Sequence, residues 1–325
     1  MKVFRYSQAR SIEGAVRAGA TGTFLAGGTT LVDLMKLDVL QPPAVVDING
    51  LPLDRVETLP GGGVRIGALV RNSDLANHEA VKTNYAVLSE ALLSGASPQL
   101  RNMATTGGNL LQKTRCYYYR DTNYACNKRQ PGSGCAALDG FNRIHAVLGG
   151  SDRCVATHPS DMAVAMMALE ATVHVQGPKG ERAIALDQFY LVPGNTPDRE
   201  NVLLPGELIT HVTLAALAGG TRSRYIKLRD RAQYEFALAS AAVAVSMSGR
   251  RIQRVRIAFG GVGTKPWRSR EAEYALEGHD AGTENFRRAA DAAMADAKPL
   301  KYNGFKIELA KRALVRTLEE TTQAA

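Results

Sequence analysis

Apolar and polar positions change period every few residues over the first fifty positions. Residues 2–6 read as a strand, 11–19 as a helix and 24–28 as a strand entering a glycine turn. Residues 30–37 follow as a helix and 44–48 as a strand. This alternation predicts a compact α/β unit. Residues 51–63 contain Pro52, Pro60 and three successive glycines, which mark a boundary. A second unit opens with the apolar run 64–70, and a helical stretch covers 84–94. The polar, glycine-bearing segment 97–110 reads as a loop. Periodicity then fades. Residues 112–158 carry turn signals at Pro131-Gly132 and Gly149-Gly150 and read as an irregular insert. Regular structure resumes with an apolar helix over 161–171 and a strand over 172–176, and the proline-rich segment 193–207 predicts an exposed crossing. In the third unit, 236–248 is apolar enough for a helix or a strand. A strand over 254–262 and two helices, 284–298 and 304–320, follow it. The predicted class is α+β, in units of about 1–57, 58–215 and 220–320, with the insert at about 112–158.

Composition adds exclusions. With 45% hydrophobic and 22% charged residues in 325, the chain is ordinary globular material, not a disordered one. No apolar run approaches the roughly 18 to 20 residues of a membrane span. The first sixteen residues lack the basic-then-apolar layout of a signal peptide, so the expectation is no membrane span and no export signal of its own. The net charge of +9 is spread among nearly as many carboxylates. Its one dense stretch is 222–231, with Arg222, Arg224, Lys227, Arg229 and Arg231. Without a nucleic-acid motif or aromatic stacking pattern, that stretch reads as a solvated face, and nucleic acid is not an expected partner.

Chemistry concentrates at four places. The first is the loop from Leu25 through Ala26, Gly27, Gly28, Thr29, Thr30 and Leu31 to Val32, where a strand gives way to a helix through two glycines. Glycine lets the backbone turn and approach a ligand closely, and free N–H groups of a new helix suit an anion. A plain turn with threonine caps would look the same. The second place is Thr105-Thr106-Gly107-Gly108-Asn109, another glycine pair able to form an anion nest or simply a capped loop. No G-x-G-x-x-G follows a strand, which excludes the usual dinucleotide fingerprint. The third is Ser160-Asp161 at the start of an apolar helix, where either side chain could be a cap.

The fourth is the cysteine set. Cys116, Cys126, Cys135 and Cys154 fall within 39 consecutive residues, and the other 286 residues contain no cysteine. Such clustering argues for one shared ligand over two disulfides, which a chain of this size does not need. The close C-x₂₋₄-C pair of zinc sites is absent, so iron–sulfur, zinc and metal-free readings all remain open on spacing alone. His145, His158 and His174 are not at mutual ligand spacings, and Trp267 and Tyr117-Tyr118-Tyr119 read as packing for a loop or an interface.

Taken together, the motifs AGGTTLVDLMK, RNMATTGGNL, PSDMAVAMMALEA and AFGGVGTKPWR, in that order, resemble the FAD-binding subunits of the xanthine dehydrogenase and carbon monoxide dehydrogenase family over nearly the whole chain. The resemblance implies a two-part FAD-binding domain followed by a C-terminal flavoprotein domain. It implies FAD contacts from residues 25–32, Thr105, Thr106, Gly108 and Asn109, with Asp161, Ile209 and Lys227 also matching flavin-side positions. A lysine there would favour the anionic reduced flavin and raise its potential. A subset, the bacterial periplasmic aldehyde oxidoreductase flavin subunits and the related 4-hydroxybenzoyl-CoA reductase subunits, carries a [4Fe–4S] cluster in an insert at this place. By that resemblance, the more so with the aldehyde oxidoreductase version, the four cysteines would be its ligands. The implied function is electron transfer. A large molybdopterin-binding subunit would oxidise aldehydes, and a small subunit with two [2Fe–2S] centres would feed electrons to FAD, which passes them to an external acceptor. The implied compartment is the periplasm, by export with a signal-bearing partner, with the cytoplasm as the alternative. The rival readings are a self-sufficient FAD oxidoreductase and a zinc-stabilised scaffold without redox work.

Overall fold

Parallel pairing needs crossover connections, and the first unit supplies them with two short helices. In the computed structural model, which describes residues 1–323, the unit runs β1 (Arg5–Gln8), α1 (Ile12–Gly19), β2 (Thr23–Leu25), α2 (Leu31–Lys36) and β3 (Ala44–Asp47). The sheet order is β1-β3-β2, all parallel. Ser11 starts α1 by accepting the Gly14 N–H at 3.0 Å, a side-chain cap that satisfies one of the helix's orphan donors.

The second unit holds β4 (Val56–Thr58) and β5 (Val64–Gly67), followed by α3 (Asn72–Asn77), α4 (Glu79–Asn84) and α5 (Ala86–Ser94). Short helices α6 (Pro98–Arg101), α7 (Thr106–Leu110) and α8 (Tyr117–Arg120) precede α9 (Asp161–Ala168). Then come β6 (Thr172–Gly177), β7 (Gly180–Ala185), α10 (Leu186–Phe189) and β8 (Leu208–Leu214), which complete an antiparallel sheet of order β4-β5-β8-β6-β7. The expected loop at 97–110 contains α6 and α7, whose one-turn length left no period to detect. β4 lies inside the expected boundary segment, and β7 carries only one buried residue, so neither left an apolar signature.

In the third unit β9 (Arg222–Leu228), β10 (Ala239–Ser248), β11 (Arg251–Gly260) and β12 (Trp267–Arg268) form an antiparallel sheet of order β12-β11-β10-β9. Helices α11 (Arg270–Leu276), α12 (Thr283–Ala293) and α13 (Phe305–Gln323) cover one face. The ambiguous segment 236–248 is resolved as a strand. Ala241, Val243 and Val245 of β10 join the core beneath these helices, while Ala242 joins the core built around α5 and α9. A strand buried on both faces has no alternation to read. The basic stretch is a solvated face only in part: Arg224 and Arg231 are exposed, but the Lys227 side chain is buried. Arg224 pairs with Glu90 and Glu320, Lys227 with Asp161, and Arg229 donates to the Ser94 carbonyl.

Residues 112–158 have little regular structure beyond α8 and two isolated bridges, an antiparallel one between Cys126 and Cys135 and a parallel one from Leu148 to Gly263. The insert nevertheless lies against the fold. Arg115 and Arg120 both reach Asp33 on α2, Lys113 and Lys128 both reach Glu200, and Arg143 pairs with Asp230 at 2.6 Å. Among the described residues no helix is long and apolar enough to cross a membrane.

Candidate functional site

The two glycine loops touch. A Cβ on Gly27 would stand 1.9 Å from the Met103 carbonyl oxygen, so the first loop can approach the second only because residue 27 is glycine. Gly28, at φ +73°, occupies the left-handed region and turns the chain into α2. Side chains hold the junction together: Asn49 donates to the Ala26 carbonyl at 3.0 Å, and Arg71 bridges Asn49 to the Met103 carbonyl. The sequence reading missed both Asn49 and Arg71. Their only local signal was a polar turn after β3 and an arginine after an apolar strand.

Along this junction runs a cleft in two connected parts that share Thr29, Thr30 and Gly108. The wider part, about 410 Å³, is bordered by Ala26, Gly27, Gly28, Leu31, Lys113 and Ile209 among others; the narrower, about 220 Å³, by Asn109, Asp161, Lys227, Tyr234 and Phe236. Together they reach the size range of ligand sites, roughly 300 to 1,000 Å³. The expected residues divide by role. Leu25 and Val32 pack behind Gly28, where a Cβ would meet them at 3.4 and 3.1 Å. Thr105 caps α7 by accepting the Gly108 N–H at 3.3 Å, and Thr106, fully buried, donates to the Val70 carbonyl. Leu25, Val32 and Thr106 shape the loops from behind, while Thr105 also borders the wider part of the cleft. The Cβ position of Gly108, by contrast, has only the Thr105 hydroxyl within 4 Å. Thr30 makes no side-chain cap, so its hydroxyl stays available in the cleft.

At the narrow end, which Arg101, Arg115, Arg231 and Glu235 also line, lies a buried ion pair. Lys227 donates to Asp161 at 2.8 Å, and the Tyr225 hydroxyl donates to the other oxygen of the same carboxylate at 2.5 Å. Their side chains are only 3% and 9% exposed. Ser160, not Asp161, caps α9, accepting the Ala163 N–H at 2.9 Å while donating to the Asn109 side chain at 2.6 Å. Asp161 is therefore free of capping duty, and Lys227 reaches the cleft already paired with it.

The cysteines form a third locus. Cys116, Cys126 and Cys154 are buried in one apolar patch with Tyr119, Ala137, Val155 and Ala156. Cys135 packs against it, and all four thiols are free. Burial pushes the Cys116 thiol up to about 12, and its neighbours Cys126 and Cys154 add to this. Backbone N–H groups oppose it: those of Tyr118 and Tyr119 are directed at Cys116, those of Ala137, Leu138 and Val155 at Cys135, and that of Ala156 at Cys154. Such donors favour the thiolate. His145, set aside in the sequence, places Nε2 3.1 Å from the Cys116 sulfur, and burial with nearby Lys306 holds its imidazole down at about 4. Among the described residues no group of three or more His, Cys, Asp and Glu side chains is arranged to hold a metal ion.

Residues 2–216 match the family described as the FAD binding domain in molybdopterin dehydrogenase, and residues 224–321 the CO dehydrogenase flavoprotein C-terminal domain. The chain belongs to the FAD-binding medium subunits of the carbon monoxide and xanthine dehydrogenase family, and is an oxidoreductase subunit of the molybdenum hydroxylase class. It is similar over its whole length, at 52% identity with full coverage of both chains, to the aldehyde oxidoreductase FAD-binding subunit PaoB of Escherichia coli (strain K12). The glyceraldehyde dehydrogenase medium chain of Sulfolobus acidocaldarius is 31% identical, over 83% of this chain and 79% of that one. Among solved structures, the carbon monoxide dehydrogenase of Hydrogenophaga pseudoflava has a chain with a TM-score of 0.78 at 27% identity, covering 99% of this chain and 98% of that one.

Proposed function

We propose that this chain is the FAD- and [4Fe–4S]-carrying electron-transfer subunit of a complex that oxidises aldehydes to carboxylic acids. The full-length 52% identity to an aldehyde oxidoreductase FAD-binding subunit carries the reading. The overall reaction is RCHO + H₂O → RCOOH + 2 H⁺ + 2 e⁻. It would run on a large molybdopterin-binding subunit, with electrons arriving here through a small subunit with two [2Fe–2S] centres and leaving to an external acceptor. FAD, when bound, supplies the ability to take electrons singly and release them in pairs.

The chain's own residues hold and orient that cofactor. We assign Ala26, Gly27, Gly28, Thr29, Thr30, Leu31 and Gly108 to close approach along its phosphates, and Asn109, Asp161 and Lys227 to the flavin end. Ile209 would be an apolar border and Thr105 a polar one, while Leu25, Val32 and Thr106 set the loops from behind. Because Asp161 balances Lys227, the pair offers the flavin end directed hydrogen-bonding atoms more than net charge.

For Cys116, Cys126, Cys135 and Cys154 we propose [4Fe–4S] ligation. A single tetrahedral ion would draw four sulfurs around one centre with bonds of about 2.3 Å. A cubane spreads its ligands over separate corners, which accords with four free thiols gathered at one apolar patch, three of them buried and Cys135 packed against them. The N–H groups aimed at the sulfurs support thiolates there. The cluster would chiefly fold its insert, whose apolar core is small. In the complex purified with its partners, the expected result is a flavin absorption doublet over broad iron–sulfur absorption, with iron in excess of the [2Fe–2S] content. A colourless zinc-loaded chain would leave the scaffold reading, and aldehyde oxidation by the isolated chain would leave the self-sufficient enzyme. We also place the complex in the periplasm by export with a signal-bearing partner; recovery from the cytoplasmic fraction alone overturns that.

A further inference from the structure

Lys306 lies on α13 of the C-terminal unit, yet its ammonium is fully buried against the insert. Its three N–H donors go to the carbonyls of Ile144 at 3.0 Å, His145 at 2.9 Å and Gly261 at 2.5 Å. All three partners are neutral, and among the described residues no carboxylate pairs with it. A buried cation without an anion is strongly unfavourable. Burial and the nearby Arg143 accordingly push Lys306 down to about 7. The adjacent Asn303, itself fully buried, donates to the His145 and Ala146 carbonyls at 3.2 Å, so this stretch of the insert is clamped from outside.

What the clamp holds is His145, 1% exposed, with Nε2 3.1 Å from Cys116 and with Nδ1 lacking any hydrogen-bond partner. The tautomer follows from the sulfur. A thiol could donate to the ring, but a metal-bound thiolate can only accept, so ligation of Cys116 requires the proton on Nε2. Four thiolates around an iron–sulfur core also carry the net negative charge that Lys306 lacks.

We propose that His145 and Lys306 tune the iron–sulfur cluster: His145 Nε2–H donates to the Cys116 thiolate, and Lys306 is its buried counter-charge. This rests on the [4Fe–4S] reading above. Both are positioning residues, acting through Cys116 and through the local field. Reduction adds negative charge, so a nearby cation and a hydrogen bond to sulfur stabilise the reduced state, and losing either lowers the midpoint potential.

The test uses the assembled complex. Lys306→Gln removes the charge but retains amide donors for the carbonyls, and His145→Gln removes the ring. EPR-monitored redox titration should show the cluster's reduced-to-oxidised ratio falling at least tenfold at fixed potential in Lys306→Gln, about 59 mV for a one-electron couple. The FAD potentials should not follow. Independently of any variant, pulsed EPR of wild-type complex labelled with ¹⁵N-histidine should show nitrogen coupling to the reduced cluster, absent in His145→Gln. If wild-type complex holds no iron beyond its [2Fe–2S] centres, the cluster reading itself falls. If the cluster is present but uncoupled to any histidine nitrogen, or Lys306→Gln keeps the wild-type midpoint, the tuning role falls and the cluster reading stands.

Discussion

Replacing Gly27 by alanine tests whether the two loops form one cradle. The added methyl would sit 1.9 Å from the Met103 carbonyl oxygen and 2.7 Å from its carbon, both backbone atoms that cannot rotate away. Real contacts of this kind essentially never fall below 3.0 Å, so the loops must separate by about 1.1 Å. Overpacking of this sort costs about 1–3 kcal/mol. The apo chain relieves it by opening the junction, and FAD must then close the loops again, so the strain reappears as about 5- to 150-fold weaker binding. Gly108→Ala is the counterpart. Its methyl meets only the Thr105 hydroxyl, at 2.9 Å, so that hydroxyl must shift and weaken its cap on α7: the apo fold should lose less stability than in Gly27→Ala while FAD binding weakens. Quenching of flavin fluorescence gives the affinities and thermal melting of apo and loaded chain gives the stability. Wild-type affinity in Gly27→Ala would show that the loops do not act together, and wild-type affinity in Gly108→Ala would remove the second loop from the cofactor. Gly28→Val is a poorer probe. At φ +73° any side chain is strained, and its Cβ points at Val32 and Leu25 instead of the cleft.

The remaining predictions concern charge and metal. Asp161→Asn leaves the Ser160 cap intact but strands a buried ammonium, at a cost of about 3–5 kcal/mol. Pairing it with Lys227→Met should recover much of this, and strictly additive losses in denaturation would refute the coupling. Cys126→Ser should lose iron and reduce assembly with partner subunits more than turnover per assembled, FAD-loaded complex. Assembled complexes that lack the cluster and cannot reduce their flavin would make it an obligatory relay. Glu200 feels burial, which raises its carboxyl, but Lys113 and Lys128 outweigh it and hold it below the usual carboxylate range. Its stabilisation is thus present above the unfolded carboxylate value of about 4.3 and fades as pH falls through the lower folded one. The melting-temperature gap between wild type and Glu200→Gln should be full near neutrality and close in acid; a gap that persists unchanged there contradicts the assignment.

Much of the site was legible because its signals are local. A glycine pair between strand and helix, a hydroxyl before a helix and a cysteine cluster in an aperiodic segment are each written within about ten to forty residues. They were ambiguous singly and informative in order. The roles were less legible. Ser160 and Asp161 are equally good caps on paper, and only packing reveals that Ser160 caps α9 while Asp161 turns to Lys227 and Tyr225, 66 and 64 residues away. The basic stretch 222–231 gave no sign that its partners were Glu90, Asp161 and Glu320, because charge complementarity across a fold leaves no periodicity in the chain.

The sequence by itself determined the order and kind of the main elements, the α+β class, the two glycine loops and the four-cysteine insert. Backbone conformation at glycine, capping and hydrophobic period depend on near neighbours, so they can be read in one dimension. Tertiary structure alone decided three things. It buried β10 on both faces, erasing the alternation that would have named it a strand. It pressed Gly27 onto Met103 to make two loops one cleft. It brought Lys306 to the backbone carbonyl of His145, 161 residues away, and the His145 ring to Cys116. Burial and counter-charge are properties of whatever surrounds a group, and for these residues the surroundings come from distant parts of the chain.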